Sequence, residues 1–305
     1  MKVFLCETIH PKAYEPLAAK AEIISDWERM GEVDALINRN LHIGKAEMDK
    51  MPNLKIVAIH GTGTDGLDLP EARKRGIEAV YAPHMNANAV AELAVGLTLA
   101  LGRKIVYARQ IIDAGRQNDG MALLKGFELR GKTFGILGAG DIARRSALIM
   151  RDGFGMKVIA WSRSMTPEKA AELGFEYAPS KEYLLENSDV VSLGLPLNEE
   201  TRGMIGAEQL ALMKPTACLV NTARGALVDE EALYAALKEG RLAGAASDVF
   251  CQEPPTKEHP LLSLPNFVAT PHIGANTDEA LYTVGMACVD QIFDVLEGRP
   301  ATYPL

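Results

Sequence analysis

KTFGILGAGDIARRSALIM, residues 132–150, combines an apolar run, a glycine-rich turn and a segment of helical period. Gly138 permits the tight turn, Gly140 lets a pyrophosphate approach the backbone, and Ala143 takes the close-packing position of a third glycine. The phosphates are expected at the N-terminus of the helix, where free N–H groups and the positive dipole end favour anions. The stretch therefore predicts a strand, a turn and a helix that bind a dinucleotide.

The chain after residue 132 continues to alternate short apolar runs with helical patterns. Six of these runs are predicted to be parallel strands: 133–137, 157–161, 190–193, 217–221, 244–248 and 267–269. Parallel strands with intervening helices are typical of a Rossmann domain. We therefore assign residues 88–276 to a dinucleotide-binding domain, which begins with a long helix predicted over residues 88–106.

A second alternating series precedes this domain. Its strands are predicted at 3–6, 33–37, 54–59 and 77–81, and its helices at 16–21, 45–51 and 69–75. A helix predicted at 277–297 is expected to fold back onto this series, which makes the first domain discontinuous, residues 1–87 plus 277–305. The predicted fold class is thus α/β, with two doubly wound lobes and a small-molecule cleft between them.

The composition and charge of the chain argue against several classes of function. The 305 residues carry a net charge of −8 without a Lys/Arg run, so neither nucleic acid nor an anionic surface is an expected partner. The longest apolar run, residues 89–101, contains Glu92 and is too short to cross a bilayer. The start, MKVFLCETIHP, lacks the pattern of a signal peptide, and the four cysteines show no metal-ligand spacing. A cytoplasmic protein without a metal site is expected.

The second strand of the Rossmann series, VIAWSRS at 158–164, bears on the choice of cofactor. An acidic residue commonly binds the adenosine ribose hydroxyls of NAD at the end of this strand. Here Ser162 takes that position and Arg163 follows, so a ribose 2′-phosphate meets no carboxylate and finds a cation. The segment favours NADP and leaves NAD open.

Three charged or titratable residues follow three successive strands of the same domain. Arg224 lies in NTARG, Glu253 in DVFCQEPP and His272 in TPHIG. Arg224 can bind a substrate carboxylate bidentately and polarise a carbonyl, while His272 can donate or accept a proton. Glu253 can fix the tautomer of His272 and stabilise its protonated form. Each residue alone also suits a surface or scaffold role, but together they predict hydride transfer between a nicotinamide cofactor and a 2-keto or 2-hydroxy acid.

With these motifs in place, the chain resembles the D-2-hydroxyacid dehydrogenase family. The similarity extends over GTGTDGLDL (61–69), AVAELAVGLTLAL (89–101), GKTFGILGAGDIA, LPLNEETRGMIG (195–206), NTARGALVDEEAL (221–233), DVFCQEPP and TPHIGANT. The resemblance implies two lobes, a flavodoxin-like substrate domain and a Rossmann domain. It also implies a homodimer formed through the long helix region, and Arg224, Glu253 and His272 in the three catalytic positions.

The resemblance further implies a set of binding residues. Backbone N–H groups of Thr62 and Gly63 are expected to meet the substrate carboxylate. The expected cofactor contacts are the pyrophosphate at Asp141 and Ile142, adenine at Pro196, nicotinamide at Thr222 and Ala223, its carboxamide at Asp248, and its ribose at Gly274 and Ala275.

Departures from the family pattern refine these expectations. Ser162 matches the NADP-using members, and the aromatic residue often found before GFELRGK has no counterpart. Thr62 and Glu253 differ from the Lys of phosphite-oxidising members and the Gln of formate-oxidising members. Arg39, Asn40 and His42 could either bind a substrate tail or only solvate a loop, so the sequence does not identify the acid. The alternative function is a cofactor-sensing, corepressor-like interaction protein.

Overall fold

The computed structural model describes residues 1–116 and 124–305. The chain folds into two compact units. The first unit comprises Met1–Ala89 and Ala275–Leu305, and the second unit comprises Val90–Gly274. That these units are the substrate and the cofactor domains stays a prediction. The segment before GFELRGK, in which the sequence lacks the aromatic residue of the family, falls partly outside the described residues.

Parallel strands and covering helices form both units. The strands are β1 (Lys2–Leu5), β2 (Glu22–Ile24), β3 (Ala35–Asn38), β4 (Ile56–Ile59), β5 (Glu78–Val80), β6 (Thr133–Leu137), β7 (Lys157–Trp161), β8 (Glu176–Tyr177), β9 (Val190–Leu193), β10 (Cys218–Asn221), β11 (Gly244–Ser247) and β12 (Phe267–Ala269). The helices are α1 (Pro11–Lys20), α2 (Lys45–Met48), α3 (Leu69–Lys74), α4 (Ala87–Gly102), α5 (Ile105–Asp113), α6 (Asp141–Phe154), α7 (Pro167–Glu172), α8 (Lys181–Asn187), α9 (Ala207–Leu212), α10 (Glu230–Lys238) and α11 (Asp278–Leu296).

The sheet of the first unit has the strand order β2-β1-β3-β4-β5, which is the flavodoxin-like order. Residues of β3 and β4 are buried on both faces of the sheet, as expected for parallel strands covered by helices. Leu36 and Val57 face one apolar cluster, whereas Ile37 and Ala58 face another that includes α11. The strand β2 was not predicted, because its three residues form a short edge strand without a clear period.

The sheet of the second unit has the order β12-β11-β10-β9-β6-β7-β8. The order reverses between β6 and β9, which is the switch point where Rossmann sheets bind their ligands. The predicted fold class, α/β with one flavodoxin-like and one Rossmann lobe, is confirmed. The predicted number of six strands is wrong, because the two-residue edge strand β8 adds a seventh.

The long helix predicted over 88–106 is interrupted. α4 ends at Gly102, and α5 starts after Lys104, whose φ of +56° is left-handed. Phe127 N donates to Gly102 O, and a Cβ on Gly102 would lie 3.2 Å from the Phe127 ring. The glycine therefore ends the helix where another segment packs against it.

None of the helices that the structure describes is long and apolar enough to span a bilayer. A cytoplasmic location stays a prediction.

Candidate active site of the second unit

The glycine turn after β6 fits a dinucleotide pyrophosphate. Gly138 has φ +98°, and a Cβ there would lie 2.4 Å from Gly194 O, so only glycine is accommodated. Gly140 caps α6 in an extended conformation and offers no side chain to the helix N–H groups. These groups face the turn without an internal cap, which is the arrangement that binds phosphate at a helix N-terminus. The turn therefore suits the predicted cofactor.

Two cavities flank the end of β7. The first, of about 450 Å³, is bordered by Trp161, Arg163, Pro196, Glu200 and other residues. The second, of about 330 Å³, is lined by Ala139, Arg144, Ser162, Ser164, Met165, Lys169, Glu172 and Leu173. Arg163 Nη1 donates to Glu200 Oε2 at 2.9 Å, and both side chains are exposed. Arg163 and Pro196 thus share one cavity, while Ser162 lies on the other.

Arg224 follows β10 in a loop fixed by the buried side chain of Asn221. Asn221 Nδ2 donates to Arg224 O at 2.8 Å, and its Oδ1 accepts from Ala223 N at 3.0 Å. The Arg224 guanidinium also donates to Ala223 O at 2.8 Å. The role of Asn221 was not predicted from the sequence. The signal was present, because an Asn at the end of a strand can bond the backbone two or three residues on.

The loop that carries Arg224 crosses the loop that carries Glu253 at Gly225. A Cβ on Gly225 would lie 2.0 Å from Phe250 C and 2.4 Å from Cys251 N. Real Cβ atoms do not approach backbone so closely, so this crossing requires glycine.

Glu253 and His272 form a direct pair. Glu253 Oε2 lies 2.6 Å from His272 Nδ1, and Glu253 Oε1 accepts from Phe250 N at 2.9 Å. Partial burial favours a raised pKa for the Glu253 carboxyl, but the hydrogen bonds from His272 and Phe250 and the charges of His272 and Arg224 outweigh it. The net effect lowers this pKa below its usual value. The carboxylate is therefore ionised at neutral pH and engages Nδ1, one of the two ring nitrogens of His272.

Asp248 holds the loop that presents His272. Its carboxylate accepts from Thr270 Oγ1 at 2.6 Å and from the backbone N–H groups of Ile273 and Gly274, both at 2.8 Å. Its own carbonyl accepts from His272 N at 2.7 Å. His272 adopts a φ of +56°, which is uncommon for a residue with a side chain. The structure shows Asp248 organising this loop, and its contact with a carboxamide stays a prediction.

Glu230 anchors the Glu253 loop from α10. Its Oε1 accepts from Cys251 N at 2.9 Å, and its Oε2 lies 3.2 Å from His259 Nε2. Burial first, and the nearby Glu230 carboxylate second, raise the pKa of the Cys251 thiol to about 11. This thiol stays protonated at neutral pH and is a poor nucleophile. Glu230 and His259 were not predicted from the sequence.

The predicted substrate residues of the first unit follow its strands. Thr62 and Gly63 come after β4, where Thr62 Oγ1 donates to Asn86 Oδ1 at 2.9 Å. The backbone N–H groups of Arg39 and Asn40 donate to the Glu7 carboxylate at 3.1 and 2.9 Å.

The remaining predicted cofactor residues are divided by the boundary between the units. Thr222 and Gly274 belong to the second unit, as do Asp141 and Ile142 at the start of α6, whereas Ala275 belongs to the first unit. No group of three or more potential metal ligands occurs among residues 1–116 and 124–305.

Comparison with known proteins identifies the family. The sequence model for "D-isomer specific 2-hydroxyacid dehydrogenase, NAD binding domain" matches residues 95–274. The glyoxylate reductase of Thermococcus litoralis is 44% identical over 259 residues, covering 83% of this chain and 77% of the relative. The D-3-phosphoglycerate dehydrogenase of Methanocaldococcus jannaschii is 40% identical over 90% of this chain, which spans only 52% of that relative.

A solved structure supports the same assignment. The NADPH-dependent glyoxylate/hydroxypyruvate reductase of Sinorhizobium meliloti, in complex with NADP and malonate, superposes with a TM-score of 0.88. It is 30% identical, and the match covers 100% of this chain and 96% of that one. The resemblance inferred from the sequence motifs is confirmed, and the chain belongs to the D-2-hydroxyacid dehydrogenase family of nicotinamide-dependent oxidoreductases.

Proposed function

We propose that this chain reduces a small 2-keto acid to the D-2-hydroxy acid, and catalyses the reverse oxidation, with Arg224, Glu253 and His272 as its catalytic residues. The observation that carries the proposal is the 2.6 Å pair between Glu253 and His272 on a loop system that also holds Arg224. When bound, the nicotinamide cofactor supplies the hydride for C2 in reduction and accepts it in oxidation.

Residues of the chain bind the substrate, polarise its carbonyl group and transfer the proton. Arg224 binds the substrate carboxylate through its planar guanidinium and polarises the adjacent carbonyl. His272 donates a proton from Nε2 to the carbonyl oxygen, because Nδ1 is engaged by Glu253. The ionised Glu253 stabilises the imidazolium before transfer and fixes the ring orientation. In oxidation the neutral imidazole takes the proton back from the hydroxyl group.

The first unit, predicted as residues 1–87 plus 277–305, contributes substrate contacts in this proposal. The backbone N–H groups of Thr62 and Gly63 follow a strand end, which is the ligand side of a doubly wound sheet. Arg39 adds a cation for a polar or anionic substrate tail, and its backbone is held by Glu7. We therefore assign substrate-tail selection to this unit, with glyoxylate and hydroxypyruvate as the first acids to test.

We also propose a homodimer that uses α5. Three large apolar side chains of this helix are exposed, Ile105 at 56%, Val106 at 40% and Ile112 at 60%. Burying these side chains against a second copy of the chain would remove apolar area from water.

The cofactor is proposed to be NADP in preference to NAD. Ser162 supplies no carboxylate to repel a 2′-phosphate. Cations line both cavities beside the end of β7: Arg163 lines the first, and Arg144 and Lys169 line the second. The related reductase from Sinorhizobium meliloti is NADPH-dependent by its description. The relatives described as reductases and dehydrogenases do not favour the corepressor-like alternative.

Arg224→Gln tests whether Arg224 binds the substrate carboxylate. We expect kcat/KM for 2-keto acids to fall about 100-fold or more, because two charge-assisted hydrogen bonds of about 1.5–3 kcal/mol each are lost. Steady-state rates with glyoxylate, hydroxypyruvate, pyruvate and bulkier 2-keto acids, each with NADH and NADPH, measure this loss and identify the preferred pair. Arg241→Gln, which removes a surface arginine that donates to Glu239, is the control and should leave the rates unchanged. An equal loss with a 2-keto amide would show that Arg224 does not bind the carboxylate.

Glu253→Gln tests the pairing with His272. Glu253 Oε2 lies 2.6 Å from His272 Nδ1 and fixes the orientation and tautomer of the ring, so its removal should lower kcat for reduction. A loss of about 100-fold or more is expected, because a neutral amide does not fix the tautomer that places a proton on Nε2. Glu258→Gln changes an exposed glutamate of the same segment and serves as the control. A kcat that stays unchanged would exclude Glu253 as the partner of His272.

A further inference from the structure

A single carboxylate contacts both ends of the Glu253 loop, which spans residues 250–259. Glu230 Oε1 accepts from Cys251 N at 2.9 Å, and Glu230 Oε2 lies 3.2 Å from His259 Nε2. The residues between these two contacts are exposed or half-buried. A segment with few buried contacts opens easily, so the position of this loop depends strongly on the contacts at its ends.

Glu230 is itself fixed at the start of α10. Asp229 caps this helix, because its side chain accepts from Glu231 N and Ala232 N, both at 3.0 Å. The backbone N–H group of Asp229 also donates to Ile205 O at 3.0 Å. The side chain of Glu230 is only 21% exposed, which strengthens its hydrogen bonds relative to those of a carboxylate in water. Glu230 thus offers the loop a fixed acceptor.

The ring of His259 contacts both Glu230 and Phe250. It meets the Phe250 ring edge to face, with the ring centroids 5.1 Å apart. His259 Nδ1 is buried and has no hydrogen-bond partner among the described residues, whereas Nε2 faces the Glu230 carboxylate. The ring proton therefore belongs on Nε2, and His259 is the donor in this pair.

Phe250 connects these contacts to the proposed catalytic pair. Its backbone N–H group donates to Glu253 Oε1 at 2.9 Å, while Glu253 Oε2 lies 2.6 Å from His272 Nδ1. A shift at the start of the loop would therefore move the group that orients the Glu253 carboxylate.

We propose that Glu230 and His259 are positioning residues for the proton-transfer step, because they fix both ends of the Glu253 loop. The loop in turn holds the Glu253 carboxylate against His272. This inference rests on the proposed function, in which that carboxylate orients the imidazole.

Glu230→Ala tests this role in steady-state reduction. We expect kcat to fall about tenfold or more, since misplacing a catalytic group by about 1 Å can cost about 10² in rate. KM for the 2-keto acid should stay nearly unchanged, because the loop of Arg224, the proposed carboxylate ligand, is fixed by Asn221. Glu231→Ala removes the same charge from an exposed neighbouring position and is the matched control. An unchanged kcat in Glu230→Ala, or a rise in KM alone, would overturn the role.

Cofactor affinity provides a second readout for Glu230→Ala. Glu230 lies outside the two cavities beside β7, so the affinity for adenosine 2′,5′-bisphosphate, the adenosine part of NADP, should not change. A loss of this affinity together with kcat would indicate a general disturbance of the second unit and would count against a positioning role.

Two variants of His259 separate its hydrogen bond from its ring packing. His259→Gln keeps an N–H donor near the position of Nε2, whereas His259→Phe keeps an aromatic ring beside Phe250. We expect kcat to fall about tenfold in His259→Phe, as for one lost hydrogen bond to a charged group, and much less in His259→Gln. The reverse order would show that ring packing fixes the loop and would overturn the proposed role of the hydrogen bond. This pair also carries the test if Glu230→Ala fails to fold.

A double-variant cycle shows whether Glu230 acts through Glu253. In Glu253→Gln the proposed partner of the imidazole is already lost, so adding Glu230→Ala should lower kcat little further. Losses that multiply would mean that Glu230 acts by another route, and the inference would fail. If Glu253→Gln alone leaves kcat unchanged, the proposed role of Glu253 fails and the positioning role fails with it. A loss in Glu253→Gln without a loss in Glu230→Ala overturns the positioning role only.

Discussion

His272→Asn is expected to lower kcat for 2-keto acid reduction by about 10²–10⁴-fold, which is the usual contribution of a positioned general acid. Asparagine is the appropriate replacement because His272 has a φ of +56°, and Asn tolerates this left-handed conformation better than most residues. The loop tied to Asp248 should therefore keep its form while the proton donor is removed. Steady-state reduction assays measure the loss.

Two readouts show whether His272→Asn acts on chemistry alone. The affinity for adenosine 2′,5′-bisphosphate and the midpoint of thermal unfolding should both stay close to those of the unaltered protein, since His272 lies outside the two cavities beside β7. A loss in kcat of less than tenfold would mean that another group supplies the proton.

Gly225→Ala is expected to lower kcat/KM by about 100-fold and to destabilise the second unit. The added methyl group would meet Phe250 C at 2.0 Å, so the Arg224 and Glu253 loops must move apart. Inserting a methyl group into a filled space typically costs about 1–3 kcal/mol. Misplacing catalytic groups by about 1 Å can cost about 10² in rate. The unfolding midpoint and the steady-state rates measure the two effects separately.

Gly153→Ala provides the matched control for Gly225→Ala. Gly153 lies in α6, and a Cβ there would meet nothing within 4 Å. Alanine is favoured over glycine inside a helix by about 0.5–1 kcal/mol, so this variant should raise the unfolding midpoint. If Gly225→Ala instead behaves like Gly153→Ala, the close crossing of the two loops is not a requirement of the fold.

Local sequence patterns predicted the elements that form long, buried strands. The strands from β6 to β12 that were predicted differ from the observed ones by at most one residue at an end, because each consists mainly of apolar or small buried residues. β2 and β8 escaped prediction because each is a short edge strand that begins with an exposed glutamate and has at most two apolar residues, whereas the equally short β12 is apolar throughout. The break after Gly102 was missed because the apolar residues Ile105 and Val106 follow Arg103 and Lys104 directly, and the packing of Phe127 at Gly102 is a contact with a distant part of the sequence.

Of the contacts in the candidate site, some were predicted from the sequence and others were not. The pairing of Glu253 with His272 was predicted because both follow neighbouring strand ends of a parallel sheet, which meet at one edge. The contact of Arg163 with Glu200 was not predicted, because the two residues are 37 positions apart and neither lies in a recognisable pattern with the other. The contact of Glu230 with His259 was likewise not predicted, because the two residues are 29 positions apart.

The discontinuous first unit sets an order of folding during synthesis. All strands of the first unit are synthesised before the chain reaches residue 90. The apolar face that contains Ile37 and Ala58 is covered by α11, however, and α11 is synthesised only after the whole second unit. The second unit is continuous in sequence and can fold as soon as it emerges, since domains generally fold as units. The nascent first unit meanwhile exposes the apolar face that α11 later buries, which is a surface for chaperones or for aggregation. The unit that is begun first is thus completed second.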